Sequence, residues 1–271
     1  MAIELKFGLF WSGAPLSYLR YLTFKTLRHF HPDSDIILYV TDTFNNSGYK
    51  WGVEKQDFES SVAIIDYIDK LKDIGVNVVK LELFGKYPSN YQSDFFRWWF
   101  LKNNSGFYMD TDQIVLRSFD TLPLDSNIIF SAYQAKSCGL YTPVGVIGAD
   151  NSEMVEWIDQ LLPQFYEPNN YNSLGPFMFR TMLKMRKWKD VMFNAPSNYF
   201  YPIPDSYLVN NLYEGNLDLH EGMKELNGEI YSCHWFGGHP LSQRFNKKYT
   251  KELAKVSNDS LSKFLRKEEM I

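Results

Sequence analysis

The chain has 271 residues, with 28 basic and 32 acidic side chains and a net charge of −4. At 45% hydrophobic and 22% charged it is too apolar for a disordered chain, and its acidic balance excludes a broad basic surface for non-specific nucleic-acid binding. Aromatic residues reach 17%, an unusual share whose placement bears on the site described below.

Met1-Ala2-Ile3-Glu4-Leu5-Lys6-Phe7 lacks the basic region and long apolar run of a signal peptide, and no window holds the ~18 uninterrupted apolar residues of a membrane helix. Cys138 and Cys233 form no CxxC and no disulfide ladder; both read as buried small hydrophobes in a reducing compartment. The expected location is the cytoplasm, with peripheral membrane contact left open.

Residues 6–11 are a short apolar run closed by Ser12-Gly13-Ala14-Pro15, the pattern of a buried strand and a loop. Residues 16–30 place Leu19, Leu22, Leu27 and Phe30 near helical spacing, and His31-Pro32-Asp33 stops the helix. A second strand follows at 35–40. A helix is expected at 61–74, with Ile64, Ile65, Ile68 and Leu71 on one face, then Gly75 and a third strand at 76–81. Strands alternating with helices at short spacing predict a mainly parallel sheet with helices on its faces. Later strands fall at 107–109, 128–132 and 144–149, and later helices at 91–101, 154–166 and 177–187. Residues 167–173, with Pro168-Asn169-Asn170, are the best candidate for a mobile loop. No internal repeat or low-complexity linker divides the chain, so residues 1–246 are expected to form one α/β domain. Residues 247–271 are expected to form a charged, helical, surface tail packed on it or extending from it.

The most informative stretch is residues 89–120. Ser89 and Gln92 have the spacing of a capping box. From Phe95 to Leu101 every residue but Arg97 is apolar, so this helix should be buried nearly all round. Asp94 and Arg97 share one face of it. They read either as a structural ion pair or as a polar pair aimed into a ligand site, since buried charges need partners. A turn at Asn103-Asn104-Ser105-Gly106 leads into strand 107–109, which runs directly into Asp110-Thr111-Asp112. Ligands of open α/β sheets bind at the carboxyl ends of strands. Paired carboxylates there suit a hard divalent cation shared with substrate phosphates. A second Asp-x-Asp, Asp33-Ser34-Asp35, has only the context of a turn.

The series Ser93, Asp94, Arg97, Leu101, Gly106, Tyr108, Asp110 and Asp112 resembles the DXD signature of the sugar-binding-region glycosyltransferases. That family includes Och1-like α-mannosyltransferases, α-1,4-galactosyltransferases, capsular polysaccharide transferases and, more distantly, the large clostridial glucosylating toxins. Leu174-Gly175-Pro176, Tyr201-Pro202-Ile203-Pro204 and His234-Trp235 resemble its later motifs. The chain departs from the family in having Ser105-Gly106 for the usual Gly-Gly and Leu174 for the usual Thr. The resemblance implies a GT-A (Rossmann-like) fold, a nucleotide-sugar donor, Mn²⁺ or Mg²⁺, and retention of anomeric configuration. It implies that Asp112 binds the metal directly and that Asp110 contacts the donor and supports the metal shell. It further implies that Asp94 and Arg97 bind donor sugar hydroxyls and the diphosphate region, that Thr111 lies against the donor, and that His234 approaches from the C-terminal side. Phe10, Trp11, Ser12 and Gly13 would hold the base.

The expected activity is hexosyl transfer from a UDP-sugar, or next GDP-mannose, to a glycan, lipid-linked saccharide or protein hydroxyl in polysaccharide synthesis. A nucleotidyltransferase, a glycoside hydrolase and a non-catalytic carbohydrate-binding protein are the alternatives. No GxGxxG, Walker A or GxSxG pattern supports another class. Of the histidines, His29 and His31 flank a helix end and read as structural, whereas His234 and His239 bracket Gly237-Gly238, which permits close backbone approach. Trp11, Tyr199, Phe200, Tyr201, Trp235 and Phe236 are expected to line loops near the site, offering faces to a base or sugar ring.

Overall fold

The computed structural model describes residues 2–12, 15–42, 65–135, 139–170, 172–184, 191–203, 212–215, 219 and 229–271. Its centre is a seven-stranded sheet built from β1 (Phe7–Ser12), β2 (Ile36–Thr41), β3 (Asn77–Lys80), β4 (Gly106–Met109), β6 (Ile128–Ser131), β9 (Val146–Ala149) and β10 (Met192–Ala195). The spatial order is β10-β6-β9-β4-β1-β2-β3. Every neighbouring pair is parallel except those made by β9, which runs antiparallel to β4 and β6. Outside this sheet, β5 (Gln113–Val115) pairs antiparallel with β11 (Ser232–His234), and β7 (Tyr133–Ala135) with β8 (Gly139–Tyr141). The expected mixed α/β fold, with a mostly parallel sheet between helices, is the one observed.

Alternation along the strands divides the core. Phe7, Leu9, Phe107 and Met109 face the layer that holds Phe24 and Leu27 of α1 (Tyr18–Phe30). Phe10 and Tyr108 face the opposite layer, with Phe96, Trp98 and Phe100 of α2 (Ser89–Asn103) and Met154, Val155 and Ile158 of α3 (Glu153–Phe165). Because side chains alternate on a strand, Asp110, two residues beyond Tyr108, emerges on the α2 side. Gly8 makes room for α2 against β1: a Cβ there would lie 2.4 Å from the Phe100 ring. Gly106 is required twice over, by φ +151° and because a Cβ would lie 2.4 Å from the Lys6 carbonyl oxygen. Ser105, beside it, donates to Ala2 O and accepts from Glu4 N–H, pinning the chain start to the turn.

Several local expectations change. The helix expected at 61–74 is a 3₁₀ helix over Ile68–Ile74, and residues 61–64 lie outside the described residues. Asp66 Oδ1 accepts from both Leu16 N–H and Ile68 N–H, which starts the helix late and leaves Ile65 69% exposed rather than on the buried face. The capping box does not form. Pro88 occupies the cap of α2, and Gln92 Nε2 instead donates to Tyr87 O. The helix expected at 177–187 begins with a π-type turn, Ser173–Phe177, kinked at Gly175, and continues as α4 (Met178–Met182); residues 185–187 lie outside the described residues. Residues 167–170 are held by Tyr91 OH donating to Glu167 O. After α5 (Pro240–Lys248), the C-terminal segment forms α6 (Lys251–Val256) and α7 (Ser260–Lys267). Ala254, Leu261, Phe264 and Leu265 are buried in a cluster with Leu19, Leu22 and Trp235. No helix of the described residues is long and apolar enough to cross a membrane. Cys233 is buried, as expected; Cys138 lies outside the described residues.

Candidate active site

A cleft of about 310 Å³ opens where the carboxyl ends of β1 and β4 meet the first turns of α1 and α2. That volume falls in the range of small-molecule sites. Phe10, Trp11, Ser12, Asp94, Arg97, Asp110, Thr111, Asp112 and His234 all line it. Of the residues expected there, Gly13 alone lies outside the described residues.

The acids are held differently. Asp110 follows β4 directly, and its backbone N–H donates to Gly145 O at 2.7 Å. Tyr108 OH donates to Asp110 Oδ1 at 2.5 Å. Asp112 accepts from Gly237 N–H at 2.7 Å, and His234 Nε2 lies 3.0 Å from its other oxygen. His234 arrives here because β11 pairs with β5, with His234 opposite Gln113. One ligand atom from each of Asp110, Asp112 and His234 lies within 4.8 Å of the others. Both ring nitrogens of His234 are buried without a hydrogen-bond partner, although Nε2 stands at ion-pair distance from Asp112.

Electrostatics separate the two acids. Burial acts to raise the Asp112 carboxyl, but the adjacent His234 imidazole, with Arg20 and the Gly237 N–H, outweighs it and holds Asp112 well below the usual carboxylate range. Burial and the nearby Asp112 charge push Asp110 up, against the pull of Arg97. His234 is pushed up by Asp112 and Asp110 against its own burial. A cation beside these groups would meet one carboxylate held ionised and a second whose ionisation it would favour.

Asp94 and Arg97 form the ion pair expected as the structural alternative, and they do so at the edge of the cleft. Arg97 Nη1 donates to Asp94 Oδ1 at 2.6 Å, and Nη2 lies 3.6 Å from Asp110 Oδ1. The guanidinium carbon stands 4.5 Å from the Tyr108 ring centroid. The pair is therefore structural, yet both residues border the cleft, and Arg97 Nε is buried with no partner. Gly175 passes close by: a Cβ there would sit 3.7 Å from Asp94 Oδ1.

The expected ring of aromatic faces is thinner than composition suggested. Phe200 and Trp235 are fully buried, so neither presents an open face. Tyr199 packs against Tyr231, away from the cleft lining. Trp11, Tyr201 and Phe236 do reach the cleft. Phe200 and Trp235 fill the core where the chain between α4 and α5 folds back on the sheet, which their hydrophobicity explains as well as ligand stacking would. His239 caps α5, accepting from Leu241 N–H, and His31 caps α1, so both are structural.

Two features had no sequence reading. Gly145 must be small, because a Cβ would lie 2.7 Å from Asp110 Oδ2 and 3.2 Å from Tyr201 OH. Arg20 donates through Nη1 to Thr111 Oγ1 at 2.8 Å and stacks over Trp11. Its signal was present: a cation in the first turn of a helix opposes the helix dipole and needs another reason to be there.

Residues 20–129 match the model of the glycosyltransferase sugar-binding region containing a DXD motif. No curated protein matches the chain. Among solved structures, the glycosyltransferase GlyE of Streptococcus pneumoniae TIGR4 is similar at 14% identity and TM-score 0.51, covering 99% of this chain and 61% of that one. The PaToxG glycosyltransferase is similar at 19% identity and TM-score 0.47, covering 91% and 87%. A glycosyltransferase involved in glycosylating the major capsid of PBCV-1 is similar at 10% identity and TM-score 0.45, covering 90% and 100%. The likeness to GlyE is one of fold, and it is the GT-A arrangement expected from the sequence.

Proposed function

We propose that the chain is a glycosyltransferase with a DXD-containing sugar-binding region, and that it moves a hexose from a nucleotide-diphosphate sugar to an acceptor hydroxyl with the help of Mn²⁺ or Mg²⁺. The observation that carries this reading is the convergence of Asp110, Asp112 and His234 in one cleft with Trp11 and the Asp94–Arg97 pair. Two carboxylates suit a hard cation, and the imidazole favours Mn²⁺ over Mg²⁺. The ring nitrogens of His234, neither of which has a hydrogen-bond partner, and the clustered carboxylate oxygens fit such an ion. When bound there, the cation acts as Lewis acid and template for the departing diphosphate.

The chain's own residues do the rest. Trp11 offers a flat face to the base, with a UDP-sugar the favoured donor and GDP-mannose next. The unpaired oxygen of Asp94 accepts from sugar hydroxyls, and Arg97 holds Asp94 and lends its charge to the diphosphate region. Tyr108 and Gly145 fix where the Asp110 carboxylate points, and Gly237 fixes Asp112. Retention of configuration rests on the family resemblance, since no carboxylate stands out as a nucleophile. The acceptor is a glycan, lipid-linked saccharide or protein hydroxyl in polysaccharide synthesis, and the enzyme works in the cytoplasm.

Incubation with Mn²⁺ and a panel of UDP- and GDP-sugars, following nucleoside diphosphate release with and without EDTA, tests the proposal. Release that EDTA abolishes supports it. Release of pyrophosphate would indicate nucleotidyl transfer, EDTA-insensitive cleavage of glycosides would indicate a hydrolase, and sugar binding without donor turnover would indicate a binding protein.

A further inference from the structure

The cleft gathers three carboxylates, Asp94, Asp110 and Asp112, against which a diphosphate must be held. Arg97 is largely committed: it pairs with Asp94 and lies near Asp110, and its side chain is only 3% exposed. Arg20 is differently placed. Its guanidinium carbon lies 4.4 Å from the Trp11 ring centroid and 5.2 Å from that of Trp235. The bond to Thr111 Oγ1 uses one of its five N–H groups. No carboxylate of the described residues pairs with it; the ion pairs around the acids are made by Arg97 and His234. Gly237 keeps space open beside its second terminal nitrogen, since a Cβ there would lie 2.6 Å from Arg20 Nη2 and 3.2 Å from Asp112 Oδ2.

We propose that Arg20 is a metal-independent phosphate ligand of the donor site: held against the Trp11 and Trp235 indoles and bonded to Thr111, it presents its unused N–H groups to the diphosphate beside Asp112. A planar guanidinium matches phosphate oxygens with two parallel bonds. Its stacked, tethered position means that little side-chain freedom remains to be lost on binding. On this assignment the nucleoside diphosphate binds without a divalent cation. This assignment rests on the nucleotide-sugar reading above.

The test is equilibrium binding of UDP, GDP, uridine and guanosine in EDTA, and of the two diphosphates in Mn²⁺, to the wild type, Arg20→Gln and Arg20→Lys. Circular dichroism and thermal melting check that the variants fold. The wild type should bind a nucleoside diphosphate in EDTA more tightly than the matching nucleoside. Arg20→Gln should weaken diphosphate binding about tenfold or more, as loss of a charge-assisted hydrogen bond does. It should leave nucleoside binding unchanged, with Arg20→Lys between the two. Equal weakening of diphosphate and nucleoside would overturn the assignment and make Arg20 a support for Trp11 alone. Unchanged diphosphate binding in Arg20→Gln would overturn it too, as would wild-type diphosphate binding that requires Mn²⁺; each leaves the donor reading intact. A wild type that binds neither diphosphate even with Mn²⁺ overturns both.

Discussion

Replacing Asp94 by Asn removes one charge from a buried pair and leaves the other in place. Arg97 would remain 3% exposed, with Asp110 Oδ1 still 3.6 Å from Nη2 and the Tyr108 ring still beneath it. Breaking a buried ion pair from one side costs about 3–5 kcal/mol, because the remaining charge is left uncompensated. Asn keeps an acceptor oxygen and Asp110 remains near, so the cost should sit at the low end, about 3 kcal/mol. For a chain of this length that corresponds to a fall in Tm of about 6–12 °C. Asp94→Leu with Arg97→Met should restore stability to within about 1 kcal/mol of the wild type, because an apolar replacement avoids desolvating either charge. It should nevertheless leave the enzyme without donor turnover. Urea denaturation and thermal melting read the first effect, and nucleoside diphosphate release reads the second. An Asp94→Asn protein that melts within 2 °C or so of the wild type would refute the energetic argument. A double variant that still turns over donor would refute the assignment of these side chains to the donor site.

Two further substitutions probe separate links. Gly145→Ala should displace the Asp110 carboxylate, whose Oδ2 would lie 2.7 Å from the new Cβ while the Asp110 N–H bond to Gly145 O anchors the backbone. Metal-dependent turnover should fall about 10–100-fold with stability changed by less than about 1 kcal/mol, and unchanged kinetics would contradict the positioning argument. Burial, helped by Arg28 and opposed by Asp120, lowers His31 to about 4, and its Nε2 accepts from Phe119 N–H, which requires the neutral ring. The unfolded chain, near 6.5 at this residue, binds more protons across that window. Its stabilisation is therefore complete above about pH 6.5 and is lost as pH falls towards 4, roughly 3 kcal/mol in all. Urea midpoints at pH 7, 5.5 and 4.5 should show that slope in the wild type and a flatter one in His31→Gln; equal slopes would contradict it.

Much of the site is local and therefore legible in the sequence. The all-round apolar pattern of α2 announces a buried helix, and the alternation through Tyr108 places Asp110 on its side of the sheet. What joins the acids to their partners is not local. His234 reaches Asp112 through the pairing of β11 with β5, which no spacing rule reveals; the family resemblance and the neighbouring Gly237-Gly238 pointed to the histidine but not to its partner. Arg20 meets Thr111 across the fold, and its sole sequence signal is a charge that opposes a helix dipole. Phe200 and Trp235 show the opposite error, since an aromatic in a loop segment is as readily a core residue as a stacking platform. The 3₁₀ helix at Ile68–Ile74 differs from expectation because one aspartate, Asp66, competes for its first backbone donors.

The central claim is that Asp110, Asp112 and His234 form a metal-assisted donor site, and an Mn²⁺ titration of nucleoside diphosphate release tests it most directly. The wild type should show saturable dependence on Mn²⁺ and no release in EDTA. Asp112→Asn, which keeps an acceptor for Gly237 N–H but loses the charge, should fall at least about a hundredfold while melting as a folded protein. Full release by Asp112→Asn, or wild-type release that ignores Mn²⁺ and EDTA alike, would contradict the account.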